Sequence, residues 1–377
     1  MARRDARGAD ARLSYVDGLR ACAILAVVVA HGFAGVALQR RTEFGFPADL
    51  GDRGVDLFFV ISGFCLARPY LARAVSSGRL EIDLGRFLIR RISRIVPPYA
   101  VAVVLFTLLG ATAFGFPSVG YAYSFTAALH EMPFDLLFLT SREPAIDASF
   151  WTLGIEMRWY AMCPPLVALF VRSRVGFACA ALASFLAYRA LHTIAYDFNV
   201  LPTFMLGIVA AAATLHRASE RIARAAAFAC PFALALAVLQ QRNLGFTDHG
   251  DPLFAIAALL FVLAGCAPGV RNVLAWPPLL AIGRASYSIY LVHQPICNAL
   301  GFSGVPWPLA VVGGVLAGFA FWRAIEVPST SARARATIER VLVDVGVTLR
   351  QRPVVLRVAT SPGASGAGIT SPQRYIL

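Results

Sequence analysis

The 377-residue chain contains no lysine, and all 34 of its basic residues are arginine. With alanine abundant, that bias reads as a property of the coding sequence rather than of function. Charge of either sign is scarce at 15% of residues, whereas 58% are apolar and mean hydropathy is +0.67, which excludes a soluble globular enzyme. Paired cysteine spacing is missing as well. Cys22, Cys65, Cys163, Cys179, Cys230, Cys266 and Cys297 each lie in or beside an apolar run, with no CxxC among them. A disulfide framework and a zinc site are therefore excluded, and the thiols read as small buried hydrophobes. No metal is expected, because the histidines and carboxylates lack clustered ligand spacing.

What is present is a succession of apolar runs. A bilayer core needs about 20 apolar residues per helix, and about ten such runs can be placed. They lie near 17–38, 52–71, 95–115, 150–171, 174–191, 198–215, 223–239, 251–266, 279–300 and 306–325. The stretch 121–140, interrupted by His130, Glu131 and Asp135, reads as an interfacial or re-entrant piece. The net charge of +13 would suggest nucleic acid in a soluble chain. Here the arginines cluster between apolar runs, on the segments that a cytoplasmic N-terminus would keep inside, so the partner expected is the lipid bilayer and no nucleic acid. The fold expected is an all-α polytopic membrane protein of about ten transmembrane helices with both termini cytoplasmic. Residues 1–12 read as an N-terminal tail and 13–328 as the membrane domain. Residues 329–377, with Ser-Pro-Gly-Ala-Ser-Gly-Ala-Gly, read as a basic, largely disordered cytoplasmic tail.

Ionisable groups inside spans are costly and point to function. Arg20 and His31 are eleven residues apart, which is about three helical turns and about 16 Å of rise, so they share a face, with Asp17 placed to pair with Arg20. Asp56 and Ser62 interrupt the second run, Glu156 and Tyr160 the fourth, and His293 the ninth. In the topology above, His31, Asp56, Glu156 and His293 fall at similar depth on four helices, which predicts one polar pocket. Arg20, Arg90, Arg91 and Arg94 collect at the cytoplasmic end. Imidazole and carboxylate at mid-depth above a basic mouth describe proton transfer beside a polyanion site.

These strings together resemble the acyltransferase-3 family of integral-membrane O-acyltransferases over about residues 13–328. The resemblance rests on Arg20 followed by ten residues and His31, then Gly54-Val-Asp-Leu-Phe-Phe-Val-Ile-Ser-Gly-Phe64, Arg90-Arg-Ile-Ser-Arg-Ile-Val-Pro97 with Tyr99, Trp151-Thr-Leu-Gly-Ile-Glu156 with Trp159-Tyr160, Ser286-Tyr-Ser-Ile-Tyr-Leu-Val-His293, and Ile325-Glu-Val-Pro328. It implies a membrane enzyme, in a bacterial inner membrane, that moves an acyl group, most often acetyl. The donor implied is cytoplasmic acyl-CoA, and the acceptor a hydroxyl of an envelope carbohydrate, a lipid-linked sugar or an exported small molecule.

On that reading Arg20, Arg90, Arg91 and Arg94 bind the CoA phosphates, to which guanidinium forks are suited. His31 acts as general base on the acceptor hydroxyl, or alternatively carries a transient acyl group. Glu156 orients the imidazole or binds the sugar, with Asp56 beside it, and Ser62, Tyr160 and His293 are expected around the substrate. Arg158 stands where a neutral side chain is expected and would change the polarity near Glu156. A proton-coupled secondary transporter would also use mid-membrane His, Glu and Asp, but it calls for two halves with matching interrupted helices, and no such repeat is present. A non-catalytic scaffold has no need of four buried ionisable groups at one depth.

Overall fold

The computed structural model describes residues 2–40, 50–110, 125–139, 147–190, 196–244, 249–344 and 354–357. They form α1 (Ala2–Arg40), α2 (Gly54–Ser77), β1 (Arg79–Ile82), α3 (Leu84–Gly110), α4 (Phe125–Leu136), α5 (Trp151–Arg172), α6 (Arg174–Ala190), α7 (Tyr196–Ala213) and α8 (Ser219–Leu244). There follow α9 (Pro252–Ala264), α10 (Pro268–Leu274), α11 (Pro277–Arg284), α12 (Ser286–Phe302), α13 (Trp307–Phe321), α14 (Ala332–Asp344) and β2 (Val354–Arg357). The architecture is all-α apart from one two-stranded ribbon.

Helices lie over all ten expected runs, but length and apolarity separate them. Among the described residues, Ser14–Ala34, Leu50–Ser77, Leu84–Gly110, Ser219–Asn243 and Trp307–Ser329 are long and apolar enough to cross a bilayer. A sixth crossing is reached if α9 and α10, bent by 96°, count as one. The run expected at 279–300 is two helices that break at Ala285. On α8, Phe228 and Phe232 are 73% and 63% exposed, as befits a surface turned to acyl chains. The chain is a multi-pass membrane protein.

Apolar burial drives little association between helices in lipid, so close backbone approach and polar contacts decide which helices meet. α1 and α2 touch where Gly54 has no side chain, since a Cβ there would lie 2.4 Å from the Ala23 carbonyl oxygen. α1 also packs on α11, α12 and α13, so that Arg20 and His31 face several neighbours. After α13, the segment Trp322–Glu326 widens into a π-helical turn that carries Glu326 inward, where it accepts a hydrogen bond from Ser288 Oγ at 2.5 Å.

Residues 329–377, read from composition as a tail, contribute two elements. α14 forms on the alternation of Arg333, Arg335 and Arg340 with Ile338 and Val341. β2 pairs antiparallel with β1, Arg79 opposite Arg357 and Ile82 opposite Val354. The alternation of β1 explains the pairing, with Leu80 and Ile82 buried and Arg79 and Glu81 outward. At the other end, α1 begins at Ala2, so the segment 1–12 continues the first helix.

Candidate active site

His31, on the C-terminal half of α1, is half-buried, and His293 on α12 is fully buried. Their rings meet with His31 Nδ1 2.8 Å from His293 Nε2. His293 Nδ1 lies 2.8 Å from the Tyr290 carbonyl oxygen and 3.1 Å from that of Ile289. A carbonyl can only accept, so Nδ1 carries the hydrogen, and Nε2 of the neutral ring is a lone pair. His31 must then donate from Nδ1, which leaves His31 Nε2 as the basic nitrogen of the pair.

Deeper along α2 and α5, Ser62 Oγ donates to Glu156 Oε1 at 2.7 Å, and the Tyr160 hydroxyl donates to the same oxygen. Tyr160 follows Glu156 by one turn, so helix geometry alone brings the phenol to the carboxylate. Ser62, Glu156 and Tyr160 line a cavity of about 110 Å³ with Arg20, Arg91 and Arg94. Tyr290 also lines it and connects it to the histidines, its ring centroid 5.5 Å from that of His293. Tyr290 is held in place by Thr152 Oγ1 at 2.6 Å and by its own donation to the Ser149 carbonyl at 2.8 Å.

Arg20 donates to Asp17 at 3.0 Å and to Cys65 Sγ at 3.4 Å. A second cavity of about 490 Å³ shares Arg20 and Cys65 with the first and adds Asp17, Arg68 and Arg284. Arg91 lies over the Tyr160 ring, 5.7 Å from its centroid. Arg90, one position away on α3, is exposed and lines neither cavity.

Asp56 is not brought to either cavity. It is 1% exposed, accepts from the Gly250 backbone N–H at 2.7 Å and lies 3.7 Å from Arg53 Nη1, so it ties the segment before α9 to α2. Arg158 also differs from the expectation. Two positions beyond Glu156 it faces away from the cavity, where it pairs with Asp197, its Nη2 2.9 Å from Oδ1. Among the described residues no group of three His, Cys, Asp or Glu is placed to hold a metal.

The family described as Acyltransferase domain matches residues 13–326, which take in every one of these side chains. The chain belongs to this acyltransferase family. It is an enzyme that transfers acyl groups other than aminoacyl groups. The exopolysaccharide production protein ExoZ of Rhizobium meliloti is 29% identical over 305 residues, which cover 75% of this chain and 91% of ExoZ. Nodulation protein 10 of Rhizobium leguminosarum bv. viciae is 25% identical over 363 residues, covering 87% of this chain and 96% of its own length. The peptidoglycan O-acetyltransferase OatA of Listeria monocytogenes is 25% identical over 322 residues, 74% of this chain but 49% of OatA. The match thus spans about half the length of that relative. No solved structure matches the chain significantly.

Within the acyltransferase, four groups escaped the reading of the sequence. Arg68 and Arg284 line the wider cavity, and Asp52 pairs with His249 across 3.0 Å. Arg68 falls in the second half of α2 and Asp52 just before its start, neither in a recurring pattern, and His249 lies in a short connection that carries no motif. No spacing signal could have singled them out.

Proposed function

We propose that the chain is an integral-membrane O-acyltransferase of a bacterial inner membrane, both termini cytoplasmic, with about ten helical segments embedded in the bilayer. It moves an acyl group, most often acetyl, from cytoplasmic acyl-CoA to a hydroxyl of an envelope carbohydrate or glycolipid, or of an exported small molecule. The reading is carried by the His31–His293 contact, which supplies one ring nitrogen able to take a proton, set about 16 Å along α1 from an arginine-lined cavity.

Arg20, Arg91 and Arg94 hold the donor's phosphates, and Arg68 and Arg284 extend that surface into the wider cavity. Three guanidinium groups around one small cavity suit a polyanion, and the single carboxylate among the lining residues, Glu156, leaves positive charge in excess. His31 Nε2 takes the proton of the acceptor hydroxyl as its oxygen attacks the thioester carbonyl. The carbon–sulfur bond breaks, and the thiolate leaves and recovers the proton. His293 keeps His31 in the tautomer that does this, and its own hydrogen is fixed on the Tyr290 carbonyl. Ser62 and Tyr160, which spend their hydrogens on Glu156, position that carboxylate rather than grip the substrate.

The test is made in intact cells carrying the wild-type chain or His31→Ala at equal membrane expression. Envelope carbohydrate and culture medium are compared by mass for base-labile acyl groups. Wild type is expected to add an acyl mass that the variant does not. An acyl mass that persists in the variant removes His31 from the role of base.

A further inference from the structure

The α1–α2 pair has two chemically distinct ends. Arg20 lies against Cys65 at one end, and at the other Gly51, the neighbour of Asp52, packs on Ala30, the residue before His31, where a Cβ on Gly51 would lie 3.0 Å from the Ala30 Cβ. Eleven residues separate Arg20 from His31 on α1, and thirteen separate Asp52 from Cys65 along the span Leu50–Ser77, about 16 and 20 Å of helix rise. Gly51 packs against α1 at Ala26 and Ala30, and Gly54 at Ala23, so the Asp52 cluster lies level with the turn of α1 that leads into His31, away from the Arg20–Cys65 end.

His249 Nε2 is 3.0 Å from Asp52 Oδ2, with His249 8% and Asp52 27% exposed at the side chain. The Trp151 ring lies against His249 with centroids 5.2 Å apart. The segment that carries His249 is pinned independently. Asn199 Nδ2 donates to the His249 carbonyl, and the Gly250 N–H goes to Asp56. Gly250 sits at φ +83°, where a Cβ would lie 2.3 Å from the Asn199 carbonyl oxygen. The backbone is thus held without the His249 side chain, and a clasp alone does not account for a partly open carboxylate beside His31. Nor does it account for His249 Nδ1, which is buried with no hydrogen-bond partner among the described residues.

Resting on the acyl-transfer reading above, we infer that Asp52, His249 and Trp151 form the acceptor subsite, and that it takes a neutral polyhydroxyl ring. Asp52 accepts a hydrogen bond from a hydroxyl next to the one that reacts, His249 fixes Asp52 and offers its second nitrogen, and the indole covers an apolar ring face. Arg53 and His249 are matched by Asp56 and Asp52, so no cation of the cluster is left over for an anionic acceptor.

The experiment uses the full chain in lipid nanodiscs without donor. Binding of the methyl glycosides of glucose, galactose and N-acetylglucosamine is followed by ligand-observed NMR. At least one is expected to bind wild type, with Asp52→Asn and His249→Ala each weakening it about tenfold or more while thermal melting stays near wild type. If Asp52→Asn does not fold, Trp151→Ala, which removes only the ring face, is read in its place with the same expected loss. Binding of none of the three, or equal binding to the variants, overturns the inference. Because no donor is present, the outcome is separate from acyl transfer; failure of the chain to consume acetyl-CoA would overturn the acyl-CoA reading and leave this result standing.

Discussion

Arg20 Nη2 lies 3.4 Å from Cys65 Sγ at the junction of two cavities, a narrow one that holds Glu156 and a wider one that holds Arg68 and Arg284. Both side chains line both cavities, so anything that passes between them passes this pair. A donor with a phosphate-bearing end and a long thin arm matches that shape: the wide cavity suits the charged end, and the junction the arm. Replacing Cys65 by Phe should close the junction and raise the donor KM about tenfold, with a smaller effect on kcat. A Cys65→Phe enzyme with wild-type donor KM would show that the arm takes another route.

The arginines are separable by position. Arg20→Gln and Arg94→Gln remove cavity-lining guanidinium groups and should each raise the donor KM about tenfold or more. Arg90→Gln removes an exposed group and should change it by less than about twofold. Steady-state kinetics with acetyl-CoA on purified protein decides this, and equal effects at all three positions would reduce the cluster to a general basic surface.

The two histidines should behave unequally. His31→Ala removes the base and should lower thioester turnover about 100-fold or more. His293→Ala leaves the base in place but frees its tautomer, for which a loss of about tenfold is expected. His293→Gln offers an amide oxygen to the same Nδ1–H and should recover part of that loss. A His293→Gln rate no better than His293→Ala would mean that packing, rather than the accepted hydrogen, is what His293 provides.

Much of this was legible from spacing. On a helix, Asp17 and Arg20 three apart, or Glu156 and Tyr160 four apart, have little choice but to meet, and they do so in the structure. Meetings between helices were less accessible. Equal depth suggested that Asp56 joined His31 and Glu156, but depth says nothing about rotation about the helix axis, and Asp56 turns instead to the Gly250 amide. Arg158 illustrates the same limit, since two positions from Glu156 it lies on the far side of α5. The break at Ala285 was hidden because the apolar stretches on either side of Arg284-Ala285-Ser286 add up to one run of span length, and the β1–β2 ribbon because its strands are separated by most of the chain.

Asp135 and Asp147 supply a pH dependence outside the transfer site. Both are almost fully buried, and each has its Oδ2 without a hydrogen-bond partner among the described residues. Burial pushes Asp135 up to about 7, aided by the negative charges of Glu131 and Asp147. Burial likewise raises Asp147 to about 7, against the two hydrogen bonds its Oδ1 accepts from the Ser149 backbone and hydroxyl. In the unfolded chain a carboxyl loses its proton near pH 4. Between there and about 7 the folded state keeps protons that the unfolded state has released, so stability falls as pH rises across that window and levels off above it. Asp147→Asn retains an acceptor for Ser149 and removes the charge. It should raise the melting temperature by a few degrees at pH 8, leave it little changed at pH 4, and flatten the slope between. Thermal melting in detergent across that range reads the effect directly; a variant that melts in parallel with wild type at every pH would show that the buried carboxyl is already relieved of its charge by another group.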